Sequence, residues 1–385
     1  EGASATAVLS GTGTLTGTTT HIQYATVALD GTGTLTGTAN EGRYWVGGAG
    51  NWSDTAHWSL SSGGSGGASV PDITIDVVFD SNSGAYDVDF DIPPSCKALT
   101  CTSSGTLGHG IGGAGALVIG GNAVLASGMT FNPFQVGFCS TTSQSITTNG
   151  TVINATAYFG PLGFPRGGTW TLQDALTVSV DLDTGGAITE AVNHLDTNGK
   201  TVIATNIIVE SGTLTLGASN VECASFSMSG AVSAGTSTIK LNSTGVDQYF
   251  IGNGKTYHNL EITGTVANKT SFLDSATFNS ISYVSSGTAY TIEFKATSTI
   301  TVGTFSVSGT AGHLVTIVSD LSGTAANLAK SGGGTVSCDY LSIKDSAATP
   351  GATWYAGSHS TNVSGNSGWI FTVDASVALS GSGVV

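Results

Sequence analysis

Charged side chains are scarce in this sequence: only 9% of its 385 residues are Asp, Glu, Lys or Arg, against about 25% in an average soluble domain. Charge-driven disorder combines many charges with few hydrophobic residues, so a chain that is 39% hydrophobic does not fit that class. The 10 basic residues are outnumbered by 25 acidic ones, which gives a formal net charge of −15. Because a polyanion would be repelled, nucleic acid is not expected as a partner.

Long apolar runs are also lacking. No stretch approaches the ~18 consecutive apolar residues of a membrane-spanning helix, and no basic segment followed by an apolar one opens the chain as in a secretory leader. We therefore expect no membrane insertion. Amphipathic helices are missing too, since the best candidates, DSATF and NLAKSG, are long enough for one turn each.

Cysteine is rare, with five residues in all. An odd number of thiols spread over a long chain does not make a disulfide framework, although Cys96 and Cys101 are near enough to pair across a turn. Buried free thiols are the favoured interpretation. No CxxC or Cys/His pattern with zinc spacing occurs, so no cofactor is expected apart from the calcium hypothesis given below.

Glycine, serine, threonine and β-branched residues are what the sequence has instead, with 56 glycines in total. From about residue 167 to 320, apolar runs of four to eight residues end in Gly, Ser-Gly or Asn-Gly, which predicts short strands and turns. Recurring T-L-T-L-G phrasing fits coils of ~20 to 25 residues. The predicted fold is all-β and elongated, a right-handed parallel β-helix; the alternative is an array of β-sandwiches.

A short unit recurs near both ends of the chain. The segment AVLSGTGTLTGT, Ala7 to Thr18, returns as VALDGTGTLTGT, Val27 to Thr38, and SVALSGSGVV, Ser376 to Val385, resembles the start of a third copy. Each unit is predicted to form a β-hairpin too small to be stable alone. The units are therefore expected to find partners on neighbouring copies, in a homo-oligomer for which a trimer is the first hypothesis.

These patterns divide the chain into five predicted segments. They are tandem hairpin units at 1–42, a Trp/Gly-rich capping phrase with the first strands at 43–102, a β-helical body at 103–337, a C-terminal capping phrase at 338–372, and the start of another flanking unit at 373–385.

Half of the six tryptophans lie in YWVGGAGNWSDTAHWS, Tyr44 to Ser59. One hypothesis is that Trp45, Trp52 and Trp58 plug the open end of the β stack and cover apolar surface that a terminal coil exposes. The other is a carbohydrate platform, since an exposed indole stacks on sugar rings. The plug is the favoured interpretation.

Carboxylates alternate along AYDVDFDIPP. Asp87, Asp89 and Asp91 are predicted on one side of a strand, with Val88 and Phe90 on the other. Three such carboxylates either face water or share a Ca²⁺ ion, which takes six to eight oxygen ligands. A solvated face is favoured, because the spacing lacks the pattern of an EF-hand loop.

A second acidic pair, Asp181 and Asp183, has the same interpretation. Paired carboxylates also suit glycoside cleavage, but alternate strand positions give the required separation in any β protein. No catalytic residue is assigned, and the protein is not expected to be an enzyme.

The tryptophan phrase, followed by Pro71, Asp76, Val78 and Phe79, resembles the phrase that introduces β-helical regions in phage tail and virion proteins and in autotransporter-like bacterial surface proteins. The segment from Cys338 to Thr372, which ends in NSGWIFT, is similar to the terminal phrase of the same group. The flanking LSGTGTLTGT units are similar to tandem units of virion proteins.

The resemblance implies a structural and adhesive protein on a phage virion surface, a tail fibre or a head decoration, which would contact other virion proteins and host surface glycan. A bacterial cell-surface adhesin and a glycan-cleaving tailspike are the alternatives. It implies no catalytic residue.

Overall fold

The computed structural model describes residues 9–10, 29–30, 42–108, 116–159, 167–184, 194–243, 245–263, 269–285, 287–348 and 351–372. In this part of the chain the secondary structure is short strands, with one three-residue 3₁₀ helix at Thr55–His57. The strands form parallel sheets that stack as a β-helix.

The largest sheet has thirteen strands, all parallel to their neighbours. In chain order they are Ser95–Cys96, Leu117–Ile119, Gln135–Phe138, Thr156–Phe159, Asp181–Asp183, Asn206–Val209, Ser225–Met228, Gln248–Ile251, Lys269–Phe272, Tyr290–Phe294, Val315–Ser319, Leu341–Lys344 and Thr361–Ser364.

A ten-stranded and a nine-stranded sheet run beside it. The ten strands are Arg43–Trp45, Trp58–Ser59, Val77–Phe79, Leu99–Cys101, Ala123–Val124, Gln144–Thr147, Thr169–Leu172, His194–Asp196, Thr213–Thr215 and Ala231–Ser233. The nine are Leu176–Thr177, Val202–Ile203, Asn220–Cys223, Thr238–Leu241, Thr256–Thr263, Ala276–Val284, Thr299–Ser306, Ala326–Lys330 and Ser346–Ala348.

Three small sheets complete the described strands. One has four strands, Gly50–Asn51, Asp87–Asp89, Thr106–Leu107 and Thr130–Phe131; one has three, Thr335–Ser337, Thr353–Tyr355 and Trp369–Ile370; and one pairs Leu9–Ser10 with Leu29–Asp30.

Each strand returns above its predecessor after one coil of the chain. Side-chain hydrogen bonds between adjacent coils accordingly join residues 22 to 25 positions apart, as from Thr270 to Gln248 and from Asn206 to Asp181. This winding confirms the predicted parallel β-helix. It also includes both end phrases, because the stack contains Arg43–Trp45 and reaches Thr361–Ser364.

Alternation within strands builds a single hydrophobic core. In Thr238–Leu241 the side chains of Ile239 and Leu241 are buried while Thr238 and Lys240 point outward. Aromatic rings stack from coil to coil, with centroids 5.4 Å apart for Phe226 and Phe250. Burial of these residues is the main driving force for winding the chain into coils.

Corners between strands repeat one local solution. Asn149 and Asn253 both have φ of 49°, in the left-handed region that Asn tolerates best after Gly, and each is followed by Gly. An aspartate of the next coil then holds the turn: Asp274 accepts hydrogen bonds from the backbone N–H groups of Gly252 and Asn253, both at 2.7 Å. The Asn-Gly signals in the sequence therefore mark coil corners.

The flanking units are described only at two dipeptides. Leu9–Ser10 and Leu29–Asp30 pair in parallel, with Leu9 opposite Leu29, so equivalent positions of the two repeats meet. The predicted hairpin turns and the third copy at 376–385 lie outside the described residues.

Candidate functional site

The three tryptophans of the N-terminal phrase are fully buried, with exposed fractions of 0%. Trp58 lies in a strand that pairs antiparallel with Arg43–Trp45, at the outer edge of the ten-stranded sheet, so Trp45 and Trp58 are direct neighbours. The ring centroids of Trp45 and Trp58 are 4.9 Å apart, and those of Trp52 and Trp58 are 4.8 Å apart, both edge to face. This is the geometry of stable aromatic pairs inside a core.

The same phrase holds His57 over the cluster. Its ring stacks on Trp45 at 4.7 Å, and its Nδ1 lies 2.7 Å from the carbonyl oxygen of Val46. A Cβ at Gly50 would collide with this ring, which explains a glycine there. The carbohydrate-platform hypothesis for these tryptophans requires an exposed indole face, and none of the three has one; the arrangement is that of the plug.

The acidic row Asp87, Asp89 and Asp91 is exposed, while Val88 between the first two is buried. Asp91 lies beyond the strand and accepts hydrogen bonds from the backbone N–H and the hydroxyl of Ser53. Among the described residues, no group of three or more His, Cys, Asp or Glu side chains is placed to hold a metal ion. The row therefore has the geometry of a solvated strand face rather than a calcium site.

The second acidic pair has a neighbour that the sequence did not reveal. Tyr158 lies directly opposite Asp183 in the adjacent coil, and both side chains point outward from the thirteen-stranded sheet. Burial raises the pKa of the Tyr158 phenol, and the charges of Asp183, Asp181 and Glu210 raise it further. The register of the coils, not sequence proximity, brings these groups together.

The C-terminal coils carry a second aromatic pair, in which Trp354 and Trp369 lie edge to face at 5.2 Å. Beside them, Asp339 accepts hydrogen bonds from the backbone N–H of Tyr340 and of His359, both at 3.0 Å, and its other oxygen lies 2.7 Å from His359 Nδ1. Tyr340 stacks on the imidazole at 4.5 Å and has φ of 56°, an uncommon conformation for a bulky residue. These contacts fix the corner of the last coils.

All five cysteines are free and buried, as predicted. Burial raises the pKa of the Cys101 thiol to about 12 and also raises that of Cys96 and Cys223. Because the thiolate is the reactive form, these thiols are unreactive core residues at neutral pH.

No family model, no curated protein and no solved structure matches this chain. In the described part of the chain, no helix has the length and apolar composition needed to cross a membrane. Function is therefore inferred from the chain's own geometry.

Proposed function

We propose that this protein is a structural and adhesive component of a phage virion surface, either a tail fibre or a head decoration. The observation that carries the structural half is the unbroken parallel ladder of thirteen strands around one hydrophobic core. Each coil satisfies the backbone N–H and C=O groups of its neighbours, so the body is stiff and hard to proteolyse. Such a body suits a part that keeps its shape outside a cell.

The virion half is supported by sequence. The phrases at Tyr44–Ser59 and Cys338–Thr372 resemble those of β-helical virion proteins, and both are integral coils of this β-helix rather than separate domains. The flanking repeats, whose described dipeptides pair with each other in parallel, resemble tandem units of the same proteins.

Copies of the chain associate in this proposal, with a trimer as the working model. The supporting feature is the last strand of the large sheet, Thr361–Ser364, which pairs with Leu341–Lys344 and has no second partner among the described strands. An open strand edge accepts another strand by backbone hydrogen bonding. Light scattering that returned a monomer at micromolar concentration would contradict association.

The test is localisation. Antibodies against the purified protein, coupled to gold, are applied to particles and to cells from the source culture and viewed by electron microscopy. Gold at one fixed place on particles is the expected result. Gold on cell envelopes in particle-free samples would instead favour the bacterial adhesin, and release of sugar fragments from host polysaccharide would favour a cleaving tailspike.

A further inference from the structure

Four consecutive strands in the middle of the large sheet share an outward polar face. The strands are Gln135–Phe138, Thr156–Phe159, Asp181–Asp183 and Asn206–Val209. Their inward side chains, Val136, Ala157, Leu182 and Ile207, are at most 1% exposed. The outward side chains, half-buried, define what is called here the Tyr158 face: Gln135, Tyr158, Asp181, Asp183 and Asn206.

The register sets the order of groups across this face. Gly137, Tyr158 and Asp183 occupy one row in successive coils, and adjacent strands lie ~4.8 Å apart. Because Gly137 has no side chain, the tyrosine ring is flanked in its row by a carboxylate on one side only. The open flank leaves room for a flat apolar group beside the ring.

The second row supplies oriented hydrogen-bonding groups. Asn206 Nδ2 donates to Asp181 Oδ1 at 2.7 Å, and Gln135 Nε2 donates to the Tyr158 hydroxyl at 3.4 Å. These bonds fix the two amides and leave the second carboxylate oxygen of Asp181 to accept from a ligand hydroxyl. An aromatic ring with an apolar body and a polar tip, surrounded by fixed acceptors and amides, matches the alternating C–H and O–H surface of a sugar.

Charge narrows the class of sugar. Asp181, Asp183 and the exposed Glu210 all act on the phenol of Tyr158, and the chain as a whole carries a formal charge of −15. A polysaccharide with carboxylate or phosphate groups would be repelled from this face. We infer that the Tyr158 face is a binding site for an uncharged polysaccharide, with the tyrosine ring as the stacking surface and Asp181, Asp183 and the amides as hydrogen-bond partners.

This inference deepens the proposed attachment role by giving it a place and a ligand class. The test measures binding of the purified protein to dextran, mannan and galactan as neutral probes and to alginate as an acidic probe, by affinity electrophoresis and titration calorimetry. Wild-type protein is expected to bind at least one neutral polysaccharide more tightly than alginate.

Variants assign the binding to the face. Tyr158→Ala is expected to weaken binding at least about tenfold, equivalent to ~1.4 kcal/mol, whereas Tyr158→Phe keeps the ring and most of the affinity. Tyr249→Ala is the matched control, because Tyr249 is 39% exposed on the outward face of the same sheet in a later coil. Melting temperatures near that of wild type show that each variant is folded.

Three results overturn the inference: no neutral polysaccharide is bound, alginate is preferred, or Tyr158→Ala binds as well as Tyr249→Ala. Gold on particles without polysaccharide binding sinks this inference and leaves the proposed function standing. Polysaccharide binding by a protein that is absent from particles does the reverse.

Discussion

The two ends of the β-helix terminate their ladders differently. At the N-terminal end, the chain reverses and Trp58–Ser59 runs antiparallel against Arg43–Trp45, so the last edge of that sheet is covered by a strand of opposite direction. At the C-terminal end, Thr361–Ser364 continues the parallel direction, and all four of its side chains are exposed. The first end is closed, whereas the described part of the second offers an edge in register with the stack.

The aromatic residues follow the same division. Three tryptophans at the N-terminal end are 0% exposed, while at the C-terminal end Trp354 is 0% and Trp369 is 9% exposed. The C-terminal coils add an ion-paired corner in which His359 and Asp339 lie on the surface. The comparison teaches that one end is stabilised by burial alone and the other partly by charge, which gives them different sensitivities to mutation and pH.

The largest expected effect is at the closed end. Trp52→Ala removes a fully buried indole that contacts Trp58 at 4.8 Å and Phe90 at 5.4 Å, and should lower the free energy of unfolding by ~3–5 kcal/mol. The matched change Trp369→Ala should cost less, because that ring is partly exposed. Denaturant titration of both variants measures the difference; equal losses would show that the two ends are equally closed.

Glycine packing at the closed end comes next. A Cβ at Gly66 would collide with the backbone carbonyl of Ala56, which cannot move without shifting the 3₁₀ helix that leads into Trp58. Gly66→Ala is expected to cost ~1–3 kcal/mol, as overpacking does.

Gly42→Ala is the control for this substitution, since a Cβ at Gly42 would meet only ordinary contacts, the nearest at 3.5 Å. Unfolding midpoints of the two variants report the effect. A Gly66→Ala protein as stable as Gly42→Ala would mean that the phrase closes the end less rigidly than its contacts indicate.

Much of the fold was readable from single-strand patterns. Runs such as TIKL, residues 238–241, alternate apolar and polar residues, and Asn-Gly at 149–150 and 253–254 marks corners, because strand period and left-handed turns are local properties. The plug was predictable for a similar reason: three large indoles in a chain of small residues need a core. Ile92, predicted to face inward with Phe90, is 37% exposed, since its strand ends at Asp89.

Neighbours between coils were not predictable. Tyr158 and Asp183 meet because the register pairs strands from successive coils, and that register depends on corner and loop lengths that vary along the chain. The same limit applies to Asp339 and His359, which are 20 residues apart. Periodicity gives the face on which a side chain lies, but a non-exact repeat does not give its partner.

A smaller, pH-dependent effect should distinguish the open end. Burial alone would raise the pKa of Asp339, but hydrogen bonds from His359 and Tyr340 outweigh it and hold the pKa below its usual 3.8. A carboxyl whose folded pKa is depressed contributes stability above its unfolded pKa and loses it as the pH falls through the folded value. Acid should therefore loosen the C-terminal corner.

The measurement is the stability difference between wild type and Asp339→Asn as a function of pH. Wild type should be more stable at neutral pH, and its advantage should shrink only below about pH 4, where aspartates in unfolded chains titrate. Hydrogen exchange of the last coils, compared with that around Trp52, would locate the change. A constant difference down to acid pH would show that the carboxylate charge has no part in stabilising this end.

The smallest effect on stability is expected on the edge strand itself. Val363 is 50% exposed, so Val363→Lys removes little buried surface and should change the free energy of unfolding by less than about 0.5 kcal/mol. Lysine on an open edge nevertheless disfavours strand addition by another chain, because its charge must be desolvated in the new sheet. Light scattering should then show weaker self-association for Val363→Lys than for Leu60→Lys, a control at the closed end where Leu60 is 55% exposed. If both variants associate like wild type, copies meet through some other surface, and the difference between the two ends concerns stability rather than assembly.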